Sequence, residues 1–230
     1  YPLIGGREYG WSFLGSDCDA AAIECAASIA AANAAPVELR QQHEQQNILR
    51  GILRPSDGLL AFTMSNPPFY SSAAEAAAAT ARKWRGLRSS RSQRGRRGGG
   101  PRPDAGSKRR SFGGSDSELW CPGGERRFVT THIRESAHPE TQRAALWFSS
   151  LVSAERSMPT LLAELSEHRA RRVEQLLIAT GNKQMRVLAW SVCLHACYDA
   201  TRRCIAIGFW VGQRLFGTGR WLGVRATSDL

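Results

Sequence analysis

Along this chain, apolar runs of strand length alternate with longer stretches of helix formers. Residues 11–16 (Trp-Ser-Phe-Leu-Gly-Ser) read as a strand that ends at Asp17 and Asp19. Residues 20–33 are an uninterrupted alanine-rich helix, closed by Asn33 and Pro36. A short strand is expected near residues 37–39, followed by a polar link to residue 54. The apolar run 59–64 is the next strand, and residues 72–84 form a helix of strong formers. Further on, 124–137 reads as a helix, 146–152 as a strand and 159–168 as a helix. Runs 173–179 and 187–192 are strands separated by the turn Gly181-Asn182-Lys183. Strands alternating with helices predict an α/β fold with a mostly parallel, doubly wound sheet, closed by an antiparallel pair. After Val192 the pattern has no clear period: Trp210, Phe216 and Trp221 lie among glycines and arginines, and no element is predicted.

Composition changes this picture in one place. The chain has 230 residues with 31 basic and 20 acidic side chains, a net charge of +11. Residues 82–114 hold twelve of the basic residues and a single acid, Asp104, so this segment carries the whole excess. Residues 85–117 are rich in Gly, Arg, Ser and Pro, with almost nothing to bury, which predicts a disordered insertion. No run of about 18 apolar residues predicts a membrane-spanning helix. The six cysteines follow no secretory framework, which favours free thiols in a reducing compartment. Cys193, His195, Cys197 and Cys204 crowd together, but their spacing fits no common zinc site and their apolar neighbours favour buried thiols.

The candidate chemistry follows the run 59–64. Asn66-Pro67-Pro68-Phe69 places an amide, two prolines and an aromatic ring at the end of a strand. Each proline fixes φ and restricts the residue before it, so the turn is stiff. The Asn66 amide oxygen and the Pro67 carbonyl are two acceptors for the hydrogens of a planar amine, and Phe69 offers a face for a base to stack on. A strand followed by a proline turn explains Pro-Pro, but not the amide before it or the aromatic after it. Ligands of doubly wound sheets lie at the carboxyl ends of the strands, where Asp17 and Asn66 both fall.

The ordered pieces resemble a known family: Tyr1-Pro2-Leu3, Gly10-Trp11 through Asp17, Phe62 through Phe69, Gly123-Gly124-Glu125 with Phe128-Val129, Trp147-Phe148-Ser149-Ser150-Leu151, and Gly181-Asn182-Lys183 with Arg186 and Leu188-Ala189-Trp190-Ser191. They are similar to the adenine-N6 RNA methyltransferases. That family includes the eukaryotic U6 small nuclear RNA enzyme (methyltransferase-like protein sixteen) and the bacterial 23S ribosomal RNA enzyme. The resemblance covers most of residues 1–192. It implies a Rossmann-like class I methyltransferase fold, S-adenosylmethionine as cofactor, and methyl transfer to the N6 amine of an unpaired or bulged adenosine in RNA. By the same resemblance, Asn66, Pro67 and Phe69 are the catalytic set and Asp17, with Asn66, binds the cofactor, Asp19 being the rival acid. Lys183 and Arg186 would lie by the RNA path. Ser65 stands where the family usually has Cys.

The family's glycine-rich loop lies before the Tyr-Pro-Leu match, and the sequence begins at Tyr1. The expectation is therefore a sheet without its first strand, open between residues 11–16 and 59–64. Four segments follow: 1–84 and 118–192 as the two parts of a methyltransferase domain, 85–117 as an Arg/Gly-rich insertion, and 193–230 as a divergent tail. Arg94, Arg96 and Arg97 of the insertion would add salt-sensitive RNA affinity or serve as a nuclear-import signal, so a nuclear setting is favoured over a cytoplasmic one. The expected enzyme is a monomer without metal or membrane partner. Two alternatives stay open: a small-molecule N-methyltransferase on the same scaffold, and a non-catalytic RNA-binding remnant.

Overall fold

The computed structural model describes residues 1–79, 81–82, 119–180, 183–192, 205–207 and 221–226, with backbone alone for 179–180, 183, 205–207 and 221–226. The elements are α1 (Pro2–Tyr9), β1 (Trp11–Asp17), α2 (Ala20–Ala32), β2 (Val37–Gln41), β3 (Leu60–Phe62), α3 (residues 73–79), α4 (Gly124–Ser136), β4 (Ala145–Val152), α5 (Met158–Glu167), β5 (Arg172–Thr180), β6 (Lys183–Ser191), β7 (Ile205–Ile207) and β8 (Trp221–Ala226). Two four-stranded sheets result, in the orders β2-β1-β8-β7 and β3-β4-β6-β5. The parallel pairs are β1 with β2 and β3 with β4; β6 is antiparallel to both β4 and β5.

Most predicted elements stand within one or two residues of their expected ends. Asp19 caps α2 by accepting the Ala21 backbone N–H at 2.9 Å. The predicted strand 59–64 is shorter as a regular element, yet its pairing with β4 runs on through Thr63 N–H to Trp147 O (2.9 Å) and Ser65 N–H to Ser149 O (3.1 Å). Three expectations are corrected. A helix, α1, forms where none was read. Its Gly5 lies so close to β1 that a Cβ there would sit 2.5 Å from Phe13 Cζ. The tail contains two strands. Finally, the place beside β1 does not stand open, since β8 pairs with it antiparallel, Trp11 opposite Ala226; β7 and β8 also contact β3, but among the described residues β3 stays an unpaired edge on that side and the two sheets are separate. The insertion 85–117, the end of the helix expected over 72–84, and the thiols of 193–204 lie outside the described residues.

The main core packs one face of the sheet against α4 and α5. It contains Leu14, Leu49, Ile52, Leu60, Val129, Ile133, Phe148, Leu161, Leu188 and Trp190. A smaller cluster around Phe13 gathers Trp11, Val37, Ala61, Phe62 and Met64. The link between β2 and β3 is pinned by a buried two-pronged ion pair, in which Arg40 Nη1 and Nη2 donate to the Asp57 carboxylate at 2.8 and 2.6 Å. Among the described residues, no helix is long and apolar enough to cross a membrane.

Candidate active site

β4 carries the tetrad to its place. Ser65 is the last paired residue of the β3 side, bridged to Ser150, and Leu151 N–H donates to Ser65 O at 2.8 Å. The chain then leaves the sheet at Asn66. Pro67 and Pro68 are buried and Phe69 is partly exposed. Asn66 Oδ1 is buried without a hydrogen-bond partner. Among the described residues nothing donates to the Pro67 carbonyl. Leaving a buried acceptor unmet costs about 1–3 kcal/mol.

Behind the tetrad lies a polar layer that the sequence did not predict. His132 of α4 is wholly buried, with Nε2 3.5 Å from Thr63 Oγ1 and Nδ1 3.5 Å from Ser65 Oγ. Ser65 Oγ lies 2.7 Å from Ser150 Oγ, and Ser149 Oγ donates to Thr63 O at 2.5 Å. Burial lowers the His132 pKa to about 3, so the ring is neutral near pH 7. Trp190 stands edge-on to it at 4.9 Å, and the Trp190 indole donates to Ser136 Oγ at 2.8 Å.

Beyond the tetrad the chain is held against α4. Tyr70 pairs with Trp120 (Tyr70 N–H to Leu119 O, Cys121 N–H to Tyr70 O, each 3.1 Å). Gly124, with φ +64, packs so close that a Cβ would sit 3.2 Å from Ser71 N and Tyr70 C. A cleft of about 300 Å³ opens here between Phe69, Arg126 and Arg156. Its two acids are committed elsewhere. Glu75 accepts from the backbone and hydroxyl of Ser71, and Glu125 accepts from the backbone N–H groups of Ser153 and Ala154 and from the Ser153 hydroxyl. Among the described residues neither arginine has an ion-pair partner.

At the end of β1, Asp17 is 5% exposed and its Oδ1 accepts the Asp19 N–H at 2.8 Å. Asp19, the rival acid, is occupied in capping α2. Starting at Cys18, a cleft of about 510 Å³ runs past Gln45, Gln46 and Ile48 to Trp120 and Phe128, so it reaches from the end of β1 towards the segment behind the tetrad. Its walls carry the amides of Gln45 and Gln46, the apolar faces of Ile48, Trp120 and Phe128, and the polar side chains of Arg127 and Thr131. The Gln-rich wall is fixed by Glu135, whose carboxylate accepts the backbone N–H groups of Ile48, Leu49 and Arg50.

The β5–β6 hairpin overhangs this end of the sheet, because β4 stops at Val152, opposite Arg186, while β5 and β6 stay paired to Thr180 and Lys183. Arg186 is not a free cation. It is 17% exposed and bonded to Glu155 at 3.0 Å. Lys183 sits at the overhanging tip, and Arg94, Arg96 and Arg97 lie outside the described residues. Of the residues singled out in sequence, Asn66, Pro67 and Phe69 therefore share one turn, and Asp17 is buried at the end of β1, next to Cys18, which lines a cleft. His132 and Glu125 share the buried face of α4 with Phe128, Val129 and Ile133, a position that in sequence reads only as a polar break in an apolar stripe. Among the described residues no cluster of three metal-ligating side chains occurs.

Comparison with known proteins adds three findings. A family model described as RNA methyltransferase matches residues 1–193. Ribosomal RNA large subunit methyltransferase F of Pseudoalteromonas translucida is 39% identical over 191 residues, covering 83% of this chain and 56% of the relative. The protein of the same name from Dechloromonas aromatica is 39% identical over 206 residues, covering 88% and 57%. The chain thus spans a little over half the length of these relatives. Among solved structures, the human METTL16 catalytic domain in complex with a MAT2A 3′UTR hairpin superposes with a TM-score of 0.61 at 23% identity, covering 84% of this chain and 60% of that one. The N-terminal domain of human METTL16 in complex with SAH gives 0.56 at 20% identity, covering 84% and 56%. At that identity the likeness speaks for the fold, a Rossmann-like methyltransferase domain.

Proposed function

This chain belongs to the RNA methyltransferase family, and on that premise we propose that it transfers a methyl group to the N6 amine of an adenosine in RNA, with S-adenosylmethionine as the donor. The observation that supports this reading is the buried, unpartnered Oδ1 of Asn66 next in sequence to the Pro67 carbonyl, to which nothing donates among the described residues. Two acceptors at the end of one strand match the two hydrogens of an exocyclic amine. Holding both hydrogens favours a more tetrahedral nitrogen whose lone pair points away from the turn.

S-adenosylmethionine, when bound, supplies a methyl group on a positively charged sulfonium, so no metal or strong base is needed. The residues fit it. Asp17, at the end of β1 and next to Cys18 of the cleft, would accept from the ribose hydroxyls, and the cleft lined by Gln45, Gln46, Ile48 and Phe128 would take the nucleoside. Phe69 stacks the target base, offsetting part of the stacking lost when an adenosine is unpaired or flipped. Asn66 and Pro67 orient the amine, and its surplus proton leaves to solvent. Placement of this kind can supply about 7–11 kcal/mol of the barrier, enough to be the main term.

The RNA passes over the overhanging hairpin. Lys183 meets phosphate there, while Arg186 braces the hairpin through Glu155. Arg94, Arg96 and Arg97 add sequence-independent affinity. The curated relatives that match are bacterial and are named for large-subunit ribosomal RNA, which favours a structured ribosomal target over a U6-like one. They lend nothing to a nuclear setting, and we place the activity inside the cell, with the enzyme acting as a monomer.

The test is Asn66→Ala in the full-length protein. Methyl transfer to an RNA hairpin falls by about 10²-fold or more, as for loss of other oriented polar groups. Donor affinity, by calorimetry, stays within about threefold, because a contact confined to the amine carries little ground-state donor binding. Transfer at the parent rate would sink the catalytic assignment, and absence of donor binding in the parent would favour an RNA-binding remnant.

A further inference from the structure

We propose that His132 is a positioning residue: as the Nδ1–H tautomer it clamps Thr63 and Ser65 and thereby sets the height and rotation of Asn66. The rate consequence rests on the methyl-transfer reading above, whereas the tautomer does not.

The geometry is specific. Thr63 and Ser65 are two residues apart on an extended segment, so their side chains face the same side. Both hydroxyls meet the one imidazole, at 3.5 Å from Nε2 and Nδ1 respectively. Ser65 is the last residue tied to β4 before the tetrad, and Asn66 is its direct neighbour. No charged side chain is needed to hold the ring: Phe148 and Trp190 stand edge-on to it at 6.2 and 4.9 Å.

Proton bookkeeping selects the tautomer. A neutral imidazole has one donor and one acceptor nitrogen. The Ser65 hydroxyl proton is drawn towards Ser150 Oγ at 2.7 Å and Ser149 O at 3.5 Å, which leaves Ser65 Oγ free to accept from His132. Thr63 Oγ1 already accepts the Ser149 N–H at 3.3 Å, so its own proton is available for the ring. The consistent direction runs from Thr63 O–H to Nε2, from Nδ1–H to Ser65 Oγ, and from Ser65 O–H to Ser150. Reversed, the ring would press a second proton onto Thr63 and take from Ser65 the proton that binds it to β4.

A segment clamped at two alternate residues cannot twist, and a twist at Ser65 would swing the Asn66 amide off the amine. Misplacement by about 1 Å can lower a rate by about 10²-fold. The two halves of the clamp can be separated by substitution. The amide of His132→Asn lies near the former Nδ1 and can still donate to Ser65. That of His132→Gln lies near the former Nε2 and serves Thr63 instead.

The experiment has two arms. In ¹⁵N NMR of the full chain, His132 shows a protonated Nδ1 and an unprotonated Nε2, with no titration between pH 8 and 5. An Nε2–H tautomer, or a midpoint near 6.5, would overturn the proposal. In kinetics well below the melting temperature, His132→Asn keeps kcat within about threefold, whereas His132→Gln and His132→Leu lose about tenfold or more at unchanged donor and RNA affinity. Equal losses in all three, or full activity in His132→Leu, would reduce the ring to packing. If the parent itself transfers no methyl group, the functional reading fails and the NMR arm alone decides the clamp.

Discussion

The carboxylate of Glu135 takes the backbone N–H of Leu49 at 2.6 Å, from a helix 86 residues further along the chain. The same group holds Ile48 and Arg50, so one side chain stands in for the pairing that a sheet would have given this loop.

Glu135→Ala leaves three backbone donors without a partner, at about 1–3 kcal/mol each where they are buried. We expect a stability loss of at least about 3 kcal/mol and weaker donor binding, because the wall at Gln45, Gln46 and Ile48 loses its anchor. Glu135→Gln keeps one acceptor oxygen and loses about half as much. Urea midpoints and a donor titration check both, and an unchanged midpoint in the alanine variant would show that the loop is held otherwise.

Stability falls as pH drops below about 6.5, the ordinary histidine value. His132, held near 3 by burial, binds its proton in the unfolded chain first. Its contribution is present above pH 6.5 and is lost progressively down towards 3, at up to about 1.4 kcal/mol per pH unit. Glu135 acts in the opposite sense: burial pushes its carboxyl up against the pull of the Arg50, Leu49 and Ile48 amides, so the folded state takes that proton more readily. Denaturation at pH 7.5 and 5.5 should show the slope in the parent and a flatter one in His132→Leu. An identical slope in the variant would assign the loss to other groups.

Asp17→Ala weakens donor binding by about 10–100-fold, the range for losing hydrogen bonds to a charged group, and leaves RNA affinity as it was. Asp19→Ala removes only a helix cap, at about 1 kcal/mol of stability, and leaves donor affinity near the parent's. Calorimetry with the donor separates the two acids, and the reverse order of effects would exchange their roles.

Gly124→Ala strains a left-handed position by about 1–2 kcal/mol and drives a methyl group into the backbone of Tyr70 and Ser71. We expect a lower melting temperature and a slower transfer, because the shift arrives next to Phe69. A variant with parent stability and rate would mean that the Tyr70–Ser71 backbone yields freely.

The turn at Asn66-Pro67-Pro68-Phe69 was readable because its signal lies in four neighbouring residues, and the place of Asp17 because strand ends are visible as breaks in an apolar run. α2 was equally plain in its alanines. α1 was not, since Gly5 and Gly6 are poor interior helix residues; it forms because Gly5 lets it lie against Phe13, a tertiary contact that overrides propensity. His132, Glu125 and Glu135 interrupt an apolar stripe and read as ordinary polar positions, since their partners lie on distant strands and loops. Arg186 read as a cation facing RNA because Glu155 comes near it only when β6 folds back beside β4. The partner of β1 was hidden for a similar reason: β8 comes from the far end of the chain, where no periodicity announced a strand.

The bridge between Tyr70 and Trp120 has a consequence for how such a domain can change over time. The chain departs and returns at one stitch, so what is inserted between can lengthen or shorten at little thermodynamic expense, about 0.6 kcal/mol for each doubling of a flexible loop. A change of length between these two residues therefore need not disturb the register of the sheet. The stitch is nevertheless one residue from Phe69. A displacement at this stitch is therefore felt directly at the Phe69 ring.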